Sequence, residues 1–333
     1  MTNTKYPLNW GYTEYRKPEV SNMKRTDMLI SRRNFMIALG GAWATVSFMP
    51  QRLLAKERVA LKRTIPSSGE LLPTIGLGTS RTFDAGDNQA ARSQLAEVLQ
   101  AFFDNGGVLI DSSPMYGSSE SVIGGLLKTT KINNSLFSAT KVWTDGKQSG
   151  IRQMKESMRL WGVDKFDLMQ IHNLRDWKIH LGTLSEWKEQ GKVRYIGITT
   201  SHGRSHTELE QVMKTESLDF VQFTYNIDNR IAEQRLLPLA ADRGMATLIN
   251  RPFHRGSHFG KVKGEPLPAW AAEFDCKSWG QYFLKFIASH PAVTCSIPAT
   301  SKVHHMVDNM AAGFGRLPDA EMRNRMIRHF ESL

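Results

Sequence analysis

From residue 74 onward, short apolar runs alternate with longer stretches in which apolar residues return every three or four positions. The runs at 74–78, 108–111, 135–141, 166–171, 194–199, 219–225, 245–250 and 293–297 read as buried strands. Between and after them, 88–105, 119–128, 149–162, 178–190, 206–214, 233–243, 277–289 and 302–312 carry helical spacing. In 88–105 the stripe is Ala91, Leu95, Val98, Leu99 and Phe102, and Gly106-Gly107 stops it. Eight strands, each followed by a helix, predict a parallel sheet with helices outside. Spread over roughly 250 residues, that is the size of a (β/α)8 TIM barrel, an α/β fold. Lys62–Thr64, Pro66-Ser67-Ser68-Gly69 and Leu71-Leu72 predict an N-terminal hairpin before the first strand, and 319–331 an extra C-terminal helix packed outside. The stretch 251–275, with Pro252, Pro266 and Pro268, reads as an irregular loop. An open doubly wound sheet is the alternative. It would favour a glycine fingerprint after the first strand, which Gly76-Leu77-Gly78-Thr79-Ser80-Arg81 does not complete.

The first 55 residues follow another pattern. Ser31-Arg32-Arg33-Asn34-Phe35-Met36 precedes an uncharged, mostly apolar run, Ile37–Met49, with Gly40-Gly41 inside it. Paired arginines before a modest apolar segment read as a twin-arginine export signal, with Leu53-Leu54-Ala55 as the expected cleavage point. The run is too short and glycine-rich for a stable membrane span, which takes about 20 apolar residues. The expected organisation is therefore a targeting segment over 1–55 and a barrel over 56–333. The expected partner is the twin-arginine translocation machinery, and the destination the periplasm after folding in the cytoplasm. That route carries folded proteins, so export is compatible with a bound cofactor.

Composition narrows the picture. Apolar residues make up 41% and charged residues 23%, enough for an ordinary core. The net charge is +11. The remainder after residue 55 is spread without a Lys/Arg block, and no recognition motif accompanies it, so no nucleic-acid partner is expected. Such a balance suits a phosphate-rich cofactor. Cys276 and Cys295 lie on separate predicted elements with no metal spacing and no disulfide framework.

Titratable residues stand where these strands end. Asp111 closes 108–111, Lys141 closes 135–141, His172 follows 166–171, and Tyr116 sits in the turn after Asp111. In a parallel barrel such positions share one mouth. Tyrosine is a weak acid, with an ordinary pKa near 10, and a nearby ammonium lowers it. A carboxylate beside that ammonium keeps it charged, and a histidine positions a carbonyl oxygen or shares its proton. Together the four suit protonation of a carbonyl oxygen as hydride reaches its carbon, which implies a nicotinamide cofactor.

The order of motifs resembles that of the aldo-keto reductase superfamily over roughly residues 62–318. It is carried by Asp111…Tyr116-Gly117…Ser119-Glu120, Thr140-Lys141, Asp167-Leu168…Ile171-His172, Gly191–Gly197 and Ile297-Pro298…Asn309. The resemblance implies NADPH-dependent reduction of a small-molecule aldehyde or ketone without a metal. It implies a tetrad of Asp111, Tyr116, Lys141 and His172, with Tyr116 as proton donor. It puts Thr199, Thr200 and Gln222 at the nicotinamide amide. Asn250 falls where the family often has a stacking aromatic, with Arg251 beside it to cover the ring or bind a phosphate. Pro298, Thr300, Lys302 and His305 fall in the phosphate region at a helix start, and Asp308 and Asn309 at the adenine. Ala299 and His305 replace basic residues of the family, so NADP(H) is favoured while NAD(H) is possible. Phe83, Trp143, Trp177, Phe253 and Phe259 are candidate substrate lining, and Arg175 and His254 candidate attractors of an acidic substrate. Two rivals compete with a reductase: an exported nicotinamide-binding or sensory barrel without significant turnover, and a barrel hydrolase or lyase using Asp111, His172 and Lys141.

Overall fold

The hairpin forms first in the chain: β1 (Lys62–Thr64) and β2 (Leu71–Pro73) are antiparallel, with Arg63 opposite Leu72. A computed structural model describes residues 59–130 and 136–333; the twin-arginine motif and its cleavage point lie outside them. Then β3 (Leu77–Gly78), β4 (Leu109–Asp111), β5 (Phe137–Val142), β6 (Phe166–Ile171), β7 (Val193–Thr199), β8 (Phe220–Thr224), β9 (Ala246–Asn250) and β10 (Cys295–Ser296) pair in sequence order, all parallel. The helices are α1 (Gln89–Asp104), α2 (Ser119–Leu127), α3 (Lys147–Trp161), α4 (Trp177–Glu189), α5 (His206–Thr215) and α6 (Leu236–Asp242). They continue with α7 (Ser257–Lys261), α8 (Trp279–Ala288), α9 (Val303–Ala311) and α10 (Ala320–Ser332). Among these helices none is long and apolar enough to cross a membrane.

The expected strands at 74–78 and 293–297 are shorter than the apolar runs, because the seam of the barrel is closed by isolated pairings. Ile75 pairs with Ser296 and Gly78 with Ala299, and Gly78 N–H donates to the Pro298 carbonyl at 3.0 Å. A Cβ at Gly78 would lie 2.6 Å from the Ile297 carbonyl oxygen. Gly78 therefore serves close backbone approach at the seam. The stretch 251–275 is less irregular than expected. It holds α7 and single turns at His254–Gly256 and Ala269–Phe274. Likewise 233–243 is split into a turn at Ile231–Glu233 and α6, with Pro238 in the first turn of α6, where its missing N–H costs nothing.

Two apolar layers hold the barrel. The outer one lies between strands and helices and is built around residues such as Phe102, Trp161, Phe166 and Phe223. The inner one fills the barrel with Leu109, Phe137, Ala139, Leu168, Tyr195, Phe220, Leu248 and Cys295, capped from below by hairpin residues Ile65 and Leu72. Tyr195 ties the hairpin down, donating its hydroxyl to Glu70 at 2.7 Å. Side chains alternate across a strand, so counting upward by twos from the inner apolar layer gives the mouth. Leu109 leads to Asp111, Ala139 to Lys141, Leu168 to Gln170 and His172, Phe220 to Gln222, and Leu248 to Asn250. The interior is apolar at the closed end and polar at the open one.

Candidate active site

Register brings the polar ends together. Asp111 pairs with Ala139 and Lys141 with Gln170, so the Asp111 and Lys141 side chains project from adjacent strands. Lys141 Nζ donates to Asp111 Oδ2 at 2.6 Å and to the Ser112 carbonyl at 2.7 Å. The other carboxylate oxygen accepts from Gln170 Nε2 at 2.9 Å and Gln222 Nε2 at 3.0 Å. The pair is buried: the Lys141 side chain is 0% and that of Asp111 3% exposed. Taking two charges out of water is costly, and only close pairing with further hydrogen bonds repays it. Burial pushes the Lys141 pKa down, but Asp111 and then Tyr116 push it up further, and the net direction is up. The ammonium stays charged.

Tyr116 is placed by a tight turn, its N–H donating to the Ser113 carbonyl at 2.9 Å. Lys141 Nζ lies 5.2 Å from its ring centroid. The residue is half-exposed at the mouth, while its phenol is directed to the buried ammonium. Here the expected sign is reversed. Burial outweighs the lowering by Lys141, Asp111 adds to the rise, and the phenol pKa is raised above 10.0. Tyr116 is thus held protonated, as a donor must be. His172 packs edge-on against it, ring centroids 5.7 Å apart. Burial and then Lys141 lower the His172 pKa to about 2. The imidazole is therefore held neutral. Ser113 Oγ meets its Nδ1 at 2.9 Å.

The candidate cofactor residues fall into two groups. Thr199, Thr200, Gln222, Asn250 and Arg251 ring the mouth next to the tetrad. Thr199 Oγ1 accepts from Asn173 N–H at 3.1 Å. Gln222 gives its amide to Asp111 and, at 3.2 Å, to Gln170, so it supports the ion pair first. Asn250 is locked between the Thr200 carbonyl, at 2.9 Å, and the Thr224 hydroxyl, at 2.7 Å. It offers no aromatic face. Thr200 is 3% exposed and, among the described residues, its hydroxyl has no hydrogen-bond partner, which fits the amide of a nicotinamide. Arg251 has a left-handed backbone (φ 53) and contacts His202. Burial, then Arg255, Arg81 and Arg204, lower its pKa to about 10.

The second group lies around α9. Pro298 is part of the barrel seam. Thr300 Oγ1 accepts from Lys302 N–H at 3.1 Å at the start of the helix, and Lys302 and His305 are exposed there. Asp308 is already engaged by α8, accepting from Ser278 at 2.6 Å and Gln281 at 2.7 Å. Asn309 is buried beside it.

Of the expected lining, Trp143 faces His172 with ring centroids 6.4 Å apart. Phe83 is fully buried in the outer core instead. Trp177 turns to the helix layer, donating to Glu208 at 3.2 Å. Phe253 and Phe259 pack against each other, tilted, with ring centroids 4.9 Å apart. Arg175 is paired with Asp145 at 2.6 Å and His254 with Asp228 at 3.0 Å. Gln170 and Ser113 are the site residues that motif matching missed. Counting two residues back from His172 would have found Gln170.

The chain is also similar to known proteins. The chain is 26% identical over 262 residues to the aldo-keto reductase str7 of Strobilurus tenacellus, covering 68% of this chain and 78% of that one. It is 25% identical over 255 residues to the glyoxal reductase of Bacillus subtilis, covering 75% and 87%. Among solved structures, an aldo/keto reductase from Klebsiella pneumoniae in complex with NADP and acetate superposes with a TM-score of 0.65 at 23% identity. That match covers 79% of this chain and 93% of that one. Residues 74–326 match the Aldo/keto reductase family as a whole. With most of its length accounted for in this way, the chain belongs to the aldo/keto reductase family.

Proposed function

We propose that the barrel reduces the carbonyl of a small aldehyde or ketone to an alcohol, with Tyr116 as the proton donor. The observation that carries this reading is the buried Lys141–Asp111 pair at 2.6 Å, with its ammonium 5.2 Å from the Tyr116 ring centroid. When bound, NADP(H) would supply the hydride. The Tyr116 hydroxyl gives its proton to the carbonyl oxygen, and the charge left on the phenol is met by Lys141, which Asp111 holds in place. Neutral His172 orients the carbonyl oxygen. Water at the open mouth returns a proton to Tyr116.

The Thr200 hydroxyl suits the nicotinamide amide, and Lys302, Thr300 and His305 suit the phosphate end. NADP(H) is favoured over NAD(H), in keeping with the NADP held by the Klebsiella relative. A carbonyl substrate is in keeping with the similarity to the glyoxal reductase of Bacillus subtilis. Fluorescence titration with NADPH and NADH, followed by NADPH oxidation over a panel of aldehydes and ketones, tests the reading. Binding without turnover of any carbonyl would turn it into a sensor. Turnover of an ester or a C–O lyase substrate without nicotinamide would replace it with a hydrolase or lyase.

Residues 1–55 are proposed to act as a separate twin-arginine export segment that sends the folded barrel of 56–333 to the periplasm. The support is Arg32-Arg33 ahead of an uncharged apolar run. Fractionation of cells carrying R32K/R33K checks it: the variant should stay in the cytoplasm, and unchanged export would end this reading.

A further inference from the structure

Away from the tetrad, one buried imidazole has no partner. His258, on α7, is 2% exposed, and among the described residues neither ring nitrogen has a hydrogen-bond partner. Buried polar groups are almost always paired, so such an orphan calls for an explanation. Its ring is held by Phe283 and Phe330, at centroid distances of 5.0 and 5.2 Å. The third ring against it is His254, 5.7 Å away. His254 Nδ1 in turn lies 3.0 Å from Asp228 Oδ2. One ligand atom from each of Asp228, His254 and His258 lies within 4.8 Å of the other two.

Three loop-borne residues meet here for a local reason. Asp228 follows β8 and His254 follows β9. The backbone at His254, Arg255 and Gly256 is left-handed (φ 47, 59 and 93), which turns the chain into α7 and brings His258 back beside His254. One cation stands near: Lys261 Nζ sits 4.5 Å over the Phe330 ring.

We propose that Asp228, His254 and His258 form a metal site for a first-row divalent cation, Zn2+ above all. Two imidazoles and one carboxylate are a borderline-soft set that suits Zn2+ and its neighbours, whereas Ca2+ and Mg2+ want an all-oxygen shell. A tetrahedral ion with bonds of about 2.0–2.1 Å needs ligand atoms roughly 3.3 Å apart. The two residues that must close in are the exposed ones: the side chains of His254 and Asp228 are 49% and 52% exposed, while His258 is buried. Asp228 also borders an open groove with Asn229, Arg230 and Glu233, which gives an ion a way in and leaves a fourth position to water. Bound metal would tie the loop after β8 to the loop after β9. The latter carries Arg251, three residues before His254, so the ion would also fix that arginine at the mouth. The site stands independently of the reductase reading.

The test is calorimetric titration of Zn2+ into the untagged, chelator-stripped full chain, with Co2+ absorption reporting geometry. One equivalent should bind with a micromolar or lower Kd, give an intense tetrahedral Co2+ band, and raise the Tm. D228N and H254A, both at exposed positions, should each weaken binding at least tenfold and remove the Tm increase. H258Q should do the same once its unmetallated fold is verified by circular dichroism. H304A, which breaks the unrelated His304–His305 pair with ring centroids 4.2 Å apart, should leave binding unchanged. Absence of binding, or binding that survives both D228N and H254A, overturns the proposal.

Discussion

The two sides of the barrel mouth are built on opposite terms. Around β4, β5 and β6, with one residue of β8, Asp111 takes three side-chain donors, Lys141, Gln170 and Gln222, at 2.6–3.0 Å. Around β7 and β9, the Thr200 hydroxyl has no partner. Burial, and then the charges of Arg255, Arg81 and Arg204, lower the Arg251 pKa. Among the described residues none of these four arginines pairs with a carboxylate. The first side is complete by itself and is held rigid by a buried network. The second gathers an unpartnered hydroxyl and like charges without a counter-charge, which favour an anion there. The proposed function puts chemistry on the finished side and recognition on the unfinished one.

The sharpest way to break this division is Tyr116→Phe. It removes the transferable proton and leaves the ring, so kcat should fall by about 10²–10⁴-fold. NADPH affinity, which belongs to the other side, should hardly move. Rate measurements beside a fluorescence titration decide it. A parallel loss of both would make Tyr116 a packing residue. Next in size is Lys141→Met. It strands a buried carboxylate, and breaking such a pair from one side costs about 3–5 kcal/mol in stability. Urea unfolding should show that loss. Adding Asp111→Asn should recover part of the stability and none of the activity. If the double variant is no more stable than the single, the two charges are not coupled as the geometry requires.

The fold was legible because the barrel writes its period into the chain. Each apolar run ends near where its strand ends, and β6 matches its expected range, 166–171, to the residue. The tetrad was legible because its members stand at strand ends, where position in sequence implies position in space. What stayed hidden depends on contacts no local pattern encodes. The seam at Gly76 and Gly78 joins residues more than 200 positions apart. The raised Tyr116 pKa follows from how deeply the phenol is sunk, which spacing does not report. Phe83 looked like loop lining because its neighbours are polar, yet it fills the outer core. Around α9, Asp308 spends its carboxylate on α8, a tertiary contact that its motif position does not disclose.

A pH profile sharpens the comparison at lower amplitude. Tyr116 must be protonated to act, and its pKa is raised above 10.0. Activity is therefore present through neutral pH and is lost only as pH climbs beyond that value. His172, lowered to about 2, stays neutral from acid to base and contributes no limb near 6.5. The carbonyl-reduction profile of kcat/KM should be flat across neutrality with one alkaline fall. A break near 6.5 that disappears in His172→Gln would show that the imidazole does exchange a proton.

The smallest expected effect separates the two sides most cleanly, because its two readouts have opposite signs. Thr200→Val replaces an unpartnered buried hydroxyl with a methyl of nearly the same shape. In the free protein this removes an unsatisfied polar group, so stability should hold or rise by up to about 1 kcal/mol. In the complex it removes a hydrogen bond to the nicotinamide amide, so the NADPH Kd should rise by a factor of about 2–13, the equivalent of 0.5–1.5 kcal/mol. Thermal unfolding and cofactor titration on the same preparation read both. A variant that is destabilised means the hydroxyl had a partner in the free protein all along. One that binds NADPH as tightly as the parent means the nicotinamide lies elsewhere on the mouth. A gain in stability together with a loss in affinity is the signature of a side chain held open for a ligand.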